Sequence, residues 1–189
     1  EIQKADAFLL IQEEVTKTKN MLNSMITVYK LDSPDYKEQW TKENLKDLVK
    51  DIDKSLSPLY INSNIEVKLE LEDAYIVCDK EKIETIITNL FTNAIKYTPK
   101  GETIKILLND YSTSIRFEIT NYGVSINKEN QGKLFDAFYR IDKSRGRQEG
   151  STGLGLYIVE QTLKQFNSVC IVSSTDNSVT FSFEIKKSF

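Results

Sequence analysis

Histidine is missing from this chain altogether, and cysteine occurs only twice, at Cys78 and Cys170. The two cysteines are far apart and lack ligand-type spacing, so neither a zinc site nor a disulfide framework is suggested, and a reducing, cytoplasmic setting fits. A dominant charge of one sign is missing too: 25 Lys and Arg against 28 Asp and Glu give a net charge of −3, with the lysines scattered among acids. Without a basic stripe there is no electrostatic case for nucleic acid. No apolar run approaches the ~20 residues of a membrane span and no signal peptide is visible, so any membrane attachment is expected from segments upstream. Repeats and low-complexity tracts are absent as well.

What is present suffices for a substantial core: 189 residues, 40% hydrophobic and 28% charged, fit one full domain with an appendage. The chain begins at Glu1 inside a helical pattern with no initiator Met, and reads as a piece of a longer protein. Phe8, Ile11, Val15, Thr18, Leu22, Met25 and Tyr29 recur at alternating spacings of three and four, a heptad seam with one threonine in it. The seam, and the "DSPDY" break after it, favour a bundle or dimer element over a helix packed on its own domain. This first part ends near Ser33, which divides the chain into residues 1–33 and 34–189.

From Trp40 the pattern is mixed. Leu45, Leu48, Val49, Ile52, Leu56 and Leu59 predict an amphipathic helix, "IEVKLEL" alternates at strand period, and Tyr75 to Val77 form a second short strand. A helix starts after Asp79, a suitable N-cap, and runs to the threonine before Pro99. Strands follow at Thr103–Leu108 and Ser114–Thr120, then a long polar stretch, a helix over Leu154–Phe166, and a hairpin at Val169–Ser174 and Val179–Ile185. Grouped helices and antiparallel strands indicate an α+β two-layer sandwich, not a doubly wound sheet.

The helix containing "NLFTNAIKYTP" has two faces. Ile83, Ile87, Leu90 and Ala94 fall on one side, whereas Thr85, Asn89, Asn93 and Lys96 line up about 100° away. An Asn oxygen can complete the shell of a Mg²⁺ whose other ligands are phosphate oxygens and water, and Lys96 one turn on can meet a phosphate; the alternative is that these residues cap loops or face solvent. A second stretch, "GSTGLGLYIVEQTLKQF", sets glycines at 150, 153 and 155 before a helix whose Leu156, Val159, Leu163 and Phe166 face a core. Glycine admits a ligand close to the backbone, and the free N–H groups of a helix start bind anions. Neither a nucleotide P-loop nor a Rossmann fingerprint is present.

In order and spacing, "NLFTNAIKYTP", "NYGVSI", "LFDAFYRIDKSR" and "GSTGLGLYIVEQ" resemble the four boxes of the sensor histidine kinase ATP-binding domain, a branch of the wider superfamily that includes gyrase. The resemblance covers Trp40 to the C-terminus, while "IQEEVTKTKNMLNSMITVYKLDS" looks like the second helix of the family's dimerisation and phosphotransfer hairpin. It implies a Bergerat-type fold, a mixed, mainly antiparallel sheet covered by helices on one face, preceded by a bundle helix. ATP and Mg²⁺ are the implied cofactors. Implied partners are the receiver domain of a response regulator and a second copy through the hairpin, and the implied location is the cytoplasmic side of an inner (cell) membrane protein.

By position, the resemblance makes Asn93 the Mg²⁺ ligand with Asn89 in support, and puts Lys96 and Tyr97 at the phosphate and nucleotide edge. Asn121 would read the adenine, with Gly123 allowing close approach, Ile126 beside it and Thr180 underneath. Phe135, Phe138 and Tyr139 would anchor a mobile lid; Arg140, Lys143 and Arg145 would offer cations; and Ser151, Thr152, Gly153, Leu154, Gly155 and Leu156 would close onto the triphosphate. Lys96 and Arg140 would act on the transferred phosphate.

Two departures stand out. The family pattern Asp-x-Gly-x-Gly here reads Asn121-Tyr122-Gly123-Val124-Ser125. An asparagine can present its oxygen to adenine or, flipped, its hydrogens to guanine, so looser base selectivity is expected. The family's phospho-acceptor histidine is also absent, which a missing upstream helix explains. Three readings follow: the core of a histidine kinase, a catalytically weak or inactive nucleotide-binding and dimerisation module, and an ATPase without phosphotransfer. The last is disfavoured because Asn89 stands where those hydrolases carry a glutamate base.

Overall fold

The computed structural model describes residues 2–33, 36–141 and 152–187. Helix α1 (Ile2–Asp32) leads into strand β1 (Trp40–Asn44), helix α2 (Leu45–Asn62), strands β2 (Glu66–Leu71) and β3 (Tyr75–Asp79), and helix α3 (Lys80–Tyr97). Strands β4 (Thr103–Asp110) and β5 (Ser114–Tyr122), a short helix α4 (Lys128–Gln131), helix α5 (Gly155–Gln165), and strands β6 (Ile171–Ser174) and β7 (Ser178–Lys186) complete the chain. The main sheet has the order β2-β4-β5-β7-β6, with β2 parallel to β4 and every other pair antiparallel. The α+β two-layer fold expected from the sequence is the one observed.

Alternation builds the two faces of the sheet. Ile104, Ile106 and Leu108 of β4, Ile115, Phe117 and Ile119 of β5, and Phe181, Phe183 and Ile185 of β7 turn inward, where α2, α3 and α5 cover them. Phe117 and Phe183 stack at 5.2 Å inside this layer. Burying large side chains at roughly 1.5–3 kcal/mol each is what makes the sheet choose this register.

Two small elements were not legible beforehand. Strand β1 pairs antiparallel with β3, Trp40 opposite Asp79 and Asn44 opposite Tyr75, although "WTKEN" has no apolar alternation. Its formation is imposed from outside: Asn44 ends the strand and caps α2, its side-chain oxygen accepting from the backbone of Lys46 and of Ala74. Helix α4 is a single turn inside the polar stretch.

Asp79 caps α3 as expected, accepting from the Lys82 backbone, and its second oxygen accepts from the Tyr36 hydroxyl and the Gln39 backbone. The buried Lys82 ammonium pairs with Glu38, which also accepts from the Trp40 indole, and lies over the Tyr36 ring. This ties the segment after α1 to the start of α3. Burial and the Asp79 carboxylate hold the Tyr36 hydroxyl well above its ordinary range, and the hydrogen bond from Lys82 holds Glu38 below the usual carboxylate range. Helix α1 packs on α5 and reaches α3 through the ion pair of Lys30 with Glu81. Its seam residues Phe8, Ile11, Val15, Leu22, Met25 and Tyr29 are exposed, and a shallow groove runs along Ile11, Val15, Leu22 and Ile26.

Replacing Asp79 by Ala removes the acceptor of three hydrogen bonds, one of them the α3 cap, and should cost about 2–4 kcal/mol in urea unfolding, against under about 1 kcal/mol for Glu38→Gln at the exposed end. Burial pushes both thiols, Cys78 and Cys170, up from 9.0 to about 12. Above about pH 9 the unfolded chain releases these protons while the folded chain keeps them, so stability falls as pH rises through that window and is untouched at neutral pH. Urea midpoints of the native protein and of a Cys78→Ala, Cys170→Ala variant should converge as the pH is raised above about 9.

Candidate nucleotide site

The site forms at the inner end of α3 and β5. On α3, Ile83, Ile87, Leu90 and Ala94 are buried, while Thr85, Asn89, Asn93 and Lys96 are half-buried along the neighbouring stripe. Asn89 donates through its amide to the carbonyl of Thr85, and its oxygen stands 3.1 Å from where a Cβ on Gly155 would be. The polar stripe of α3 therefore faces the first residue of α5. No side chain among the described residues caps α5, whose N-cap residue is the buried Leu154, so its first N–H groups stay open to an anion.

One turn further, the Asn93 side chain makes no hydrogen bond to any described residue. Its amide oxygen is a hard, neutral donor of the type Mg²⁺ takes. Among the described residues no group of three His, Cys, Asp or Glu could cage a metal. A cation here must share its coordination with phosphate and water, which suits one arriving with a nucleotide. Lys96 lies with its ammonium 5.3 Å from the centre of the half-exposed Tyr97 ring.

Asn121 sits at the inner end of β5, almost wholly buried. Its amide nitrogen donates to the carbonyl of Ala94 at 2.8 Å and to the Thr98 hydroxyl at 2.9 Å. Both hydrogens are thereby engaged, and a flipped amide would set its oxygen against the Ala94 carbonyl, acceptor against acceptor. The freedom expected from the sequence is closed by α3, and only the oxygen of Asn121, which has no partner among the described residues, remains for a ligand.

Thr180 departs from expectation. It stands directly opposite Thr120 and the two hydroxyls meet at 2.8 Å, on the face away from Asn121. A one-residue register puts Val179 opposite Asn121 instead. Since strand side chains alternate, Thr180 cannot reach the pocket side.

A neck joins Phe138 to Gly153. Phe138 donates from its backbone to Gly153 at 3.0 Å, with φ of 64° at Phe138 and 71° at Gly153. A Cβ on Gly153 would come within 2.9 Å of the Phe138 backbone. Phe135 meets Phe181 edge-on, Tyr139 donates its hydroxyl to Asn130, and the Ile126 backbone donates to Ser174. Thr152 accepts from the Leu154 backbone, Leu156 packs on the core and Arg140 is half-buried. Lys143, Arg145 and Ser151 lie outside the described residues.

Thr98 and Glu102 were missed. Thr98 looked only like a helix end, yet it holds Asn121. Glu102 lies across Gly123, where a Cβ would be 2.7 Å from its Cγ. The signal for Thr98 was available in the proline that follows it, which stops α3 where its last turn can meet β5.

Residues 78–188 match the model of the histidine kinase-, DNA gyrase B- and HSP90-like ATPase family. The signal transduction histidine-protein kinase ArlS of Staphylococcus haemolyticus is 29% identical over 171 residues, 90% of this chain and 35% of that protein. The chain spans about a third of the length of the curated relatives it matches. The catalytic domain of histidine kinase ThkA superposes with a TM-score of 0.71 at 29% identity, over 79% of this chain and 96% of that one. In a complex of ThkA with the response regulator TrrA, the kinase chain shares the fold at a TM-score of 0.77 and 24% identity, over 94% of this chain and 49% of that one.

Gly153→Ala should lower stability by about 1–3 kcal/mol and loosen the neck, because both φ and the Phe138 backbone oppose a Cβ, whereas Gly132→Ala, at ordinary φ of −68° in open space, should be near neutral. Thermal unfolding of the two variants side by side checks this.

Proposed function

This chain belongs to the histidine kinase-, DNA gyrase B- and HSP90-like ATPase family, and from that membership we propose that it is the catalytic core of a two-component sensor histidine kinase. It binds Mg-ATP and passes the γ-phosphate to a histidine outside this sequence, from which it is relayed to an aspartate on a response regulator. The observation that carries the reading is the meeting of Asn89 with the open start of α5 at Gly155. That juxtaposition offers an anion site beside a polar helix stripe.

In this reading Asn93 holds Mg²⁺ with Asn89 in support, Lys96 and Arg140 attend the phosphates with Lys143 and Arg145, and Asn121 accepts from the base amino group. Tyr97 and Ile126 border the base, and the segment from Phe138 to Leu156 closes over the nucleotide. Bound Mg²⁺ neutralises phosphate charge and supports a loose phosphoryl transfer. The chain's own part is to position and to exclude water, with little covalent chemistry. Residues 1–33 serve as part of the dimerisation and phosphotransfer hairpin, and the exposed seam on α1 is where a second copy and the missing helix pack. Among the described residues no helix is long and apolar enough to cross a membrane. Attachment would come from upstream segments, with this portion on the cytoplasmic side and no nucleic acid involved.

A second reading, a weak or inactive nucleotide-binding module, draws on Asn121 and Ser125 in place of the family's Asp and Gly. The amide pinned in the accepting orientation favours the active reading, since one acceptor for adenine is kept.

Incubated alone with radiolabelled ATP, the chain should gain no acid-labile phosphate, as it has no histidine, and should label a separately supplied histidine-bearing hairpin helix. No transfer to that helix supports the second reading; stable self-labelling contradicts the assignment of roles. Asn93→Ala should abolish the Mg²⁺ dependence of ATP-analogue binding while leaving the fold intact, because its side chain makes no bond to any described residue. Titrations with and without Mg²⁺ decide it.

A further inference from the structure

We infer that Glu102 is a second reader of the base, a carboxylate that sets the pocket's preference for a 6-aminopurine over a 6-oxopurine. The inference rests on the nucleotide reading of the Asn121 corner and adds to it a residue that no motif pointed to.

The placement follows from register. Ile104 stands opposite Asn121 in the antiparallel β4–β5 ladder, so two residues further on each chain Glu102 comes across from Gly123. Glu102 directly precedes β4 and Gly123 directly follows β5, while Ile104 and Asn121, two residues inward, are buried on the helix-covered face. The contact agrees: a Cβ on Gly123 would lie 2.7 Å from Cγ, 2.9 Å from Cδ and 3.3 Å from Oε1 of Glu102. It is the bare backbone of Gly123, at φ 76°, that lets the carboxyl group lie across the strand end two residues from Asn121. Backbone bonds at both sides hold Glu102 there, its carbonyl accepting from Glu66 and its N–H donating to Pro99.

The carboxylate is also unlike its neighbours. Glu66, Glu70 and Glu118 on the sheet each pair with a cation, Lys68, Lys105 and Arg116. Glu102, half-buried, meets no cation and no donor among the described residues. An uncompensated, partly desolvated charge is unfavourable for the fold alone, and a donor brought by a ligand relieves it. The amino group at position 6 of adenine carries two hydrogens, one for the pinned oxygen of Asn121 and one for Glu102. A 6-oxo group turns an acceptor toward both, and the carboxylate makes that contact repulsive. The negative charge that Asn121 lacks is thus supplied from the opposite strand.

The test uses ATP and inosine triphosphate, which differ at position 6 and the adjoining N1 proton, each with Mg²⁺, titrated calorimetrically into the native chain and Glu102→Gln. The native chain should bind ATP the more tightly. Glu102→Gln should weaken ATP and lower the ratio of ATP to inosine triphosphate affinity by about tenfold, as a charged contact becomes a neutral one. The thermal midpoint should hold or rise. A ratio that stays the same or increases, with ATP still bound, overturns the role of Glu102 and leaves the nucleotide reading standing. Failure of the native chain to bind either nucleotide overturns both.

Discussion

The hydrogen bonds from the Asn121 amide to the Ala94 carbonyl and the Thr98 hydroxyl join the last turn of α3 to the inner end of β5, and the rest of the site depends on that join. Each is worth about 1 kcal/mol when made, but leaving a buried amide unmatched costs about 1–3 kcal/mol, so the corner is strongly specified. Ala94 is the neighbour of Asn93, so fixing one places the other. The bonds also leave the Asn121 oxygen as the end of the amide without a partner among the described residues. Pro99 makes the join possible by ending α3 at Tyr97, with Thr98 as its C-cap.

From that corner the polar stripe of α3 runs back toward α5. Asn93 and Asn89 are one turn, ~6 Å, apart along the axis, and Asn89 reaches the bare Gly155 at the helix start. The stripe therefore spans from the open acceptor of Asn121 to an open set of backbone donors, the polarity the proposed nucleoside triphosphate needs. At the neck, Phe138 and Gly153, both at positive φ, are joined by a backbone hydrogen bond. At the far end of α3, Asp79 and Lys82 hold the segment that follows α1, so the proposed hairpin helix and the site helix share an anchored joint.

Much of this was legible because its causes are local. The period of Ile83, Ile87, Leu90 and Ala94 showed the buried face of α3, and Asp79 and Pro99 marked its ends. The alternation in β4, β5 and β7 placed the core face. What could not be read was set by partners distant in sequence. Strand β1 exists because β3 and the Asn44 cap recruit it. The parallel pairing of β2 with β4 is decided by the crossover between them, not by either strand's pattern. Thr180 was placed on the wrong face because a one-residue register inverts every side chain and only the ladder fixes it. The orientation of the Asn121 amide was hidden for the same reason: its hydrogens are claimed by residues 23 and 27 positions earlier.

The central claim is that one nucleotide lies along α3 from Asn121 to Gly155. Backbone amide chemical shifts followed by NMR during an Mg-ATP titration test it most directly. Shifts should move together, with one saturation curve, at Asn93, Asn121, Gly123 and Gly155, while the exposed seam of α1 stays still. Saturable shifts confined to α1 or to the outer face of the sheet around Thr180, with the α3 corner unmoved, would contradict the account.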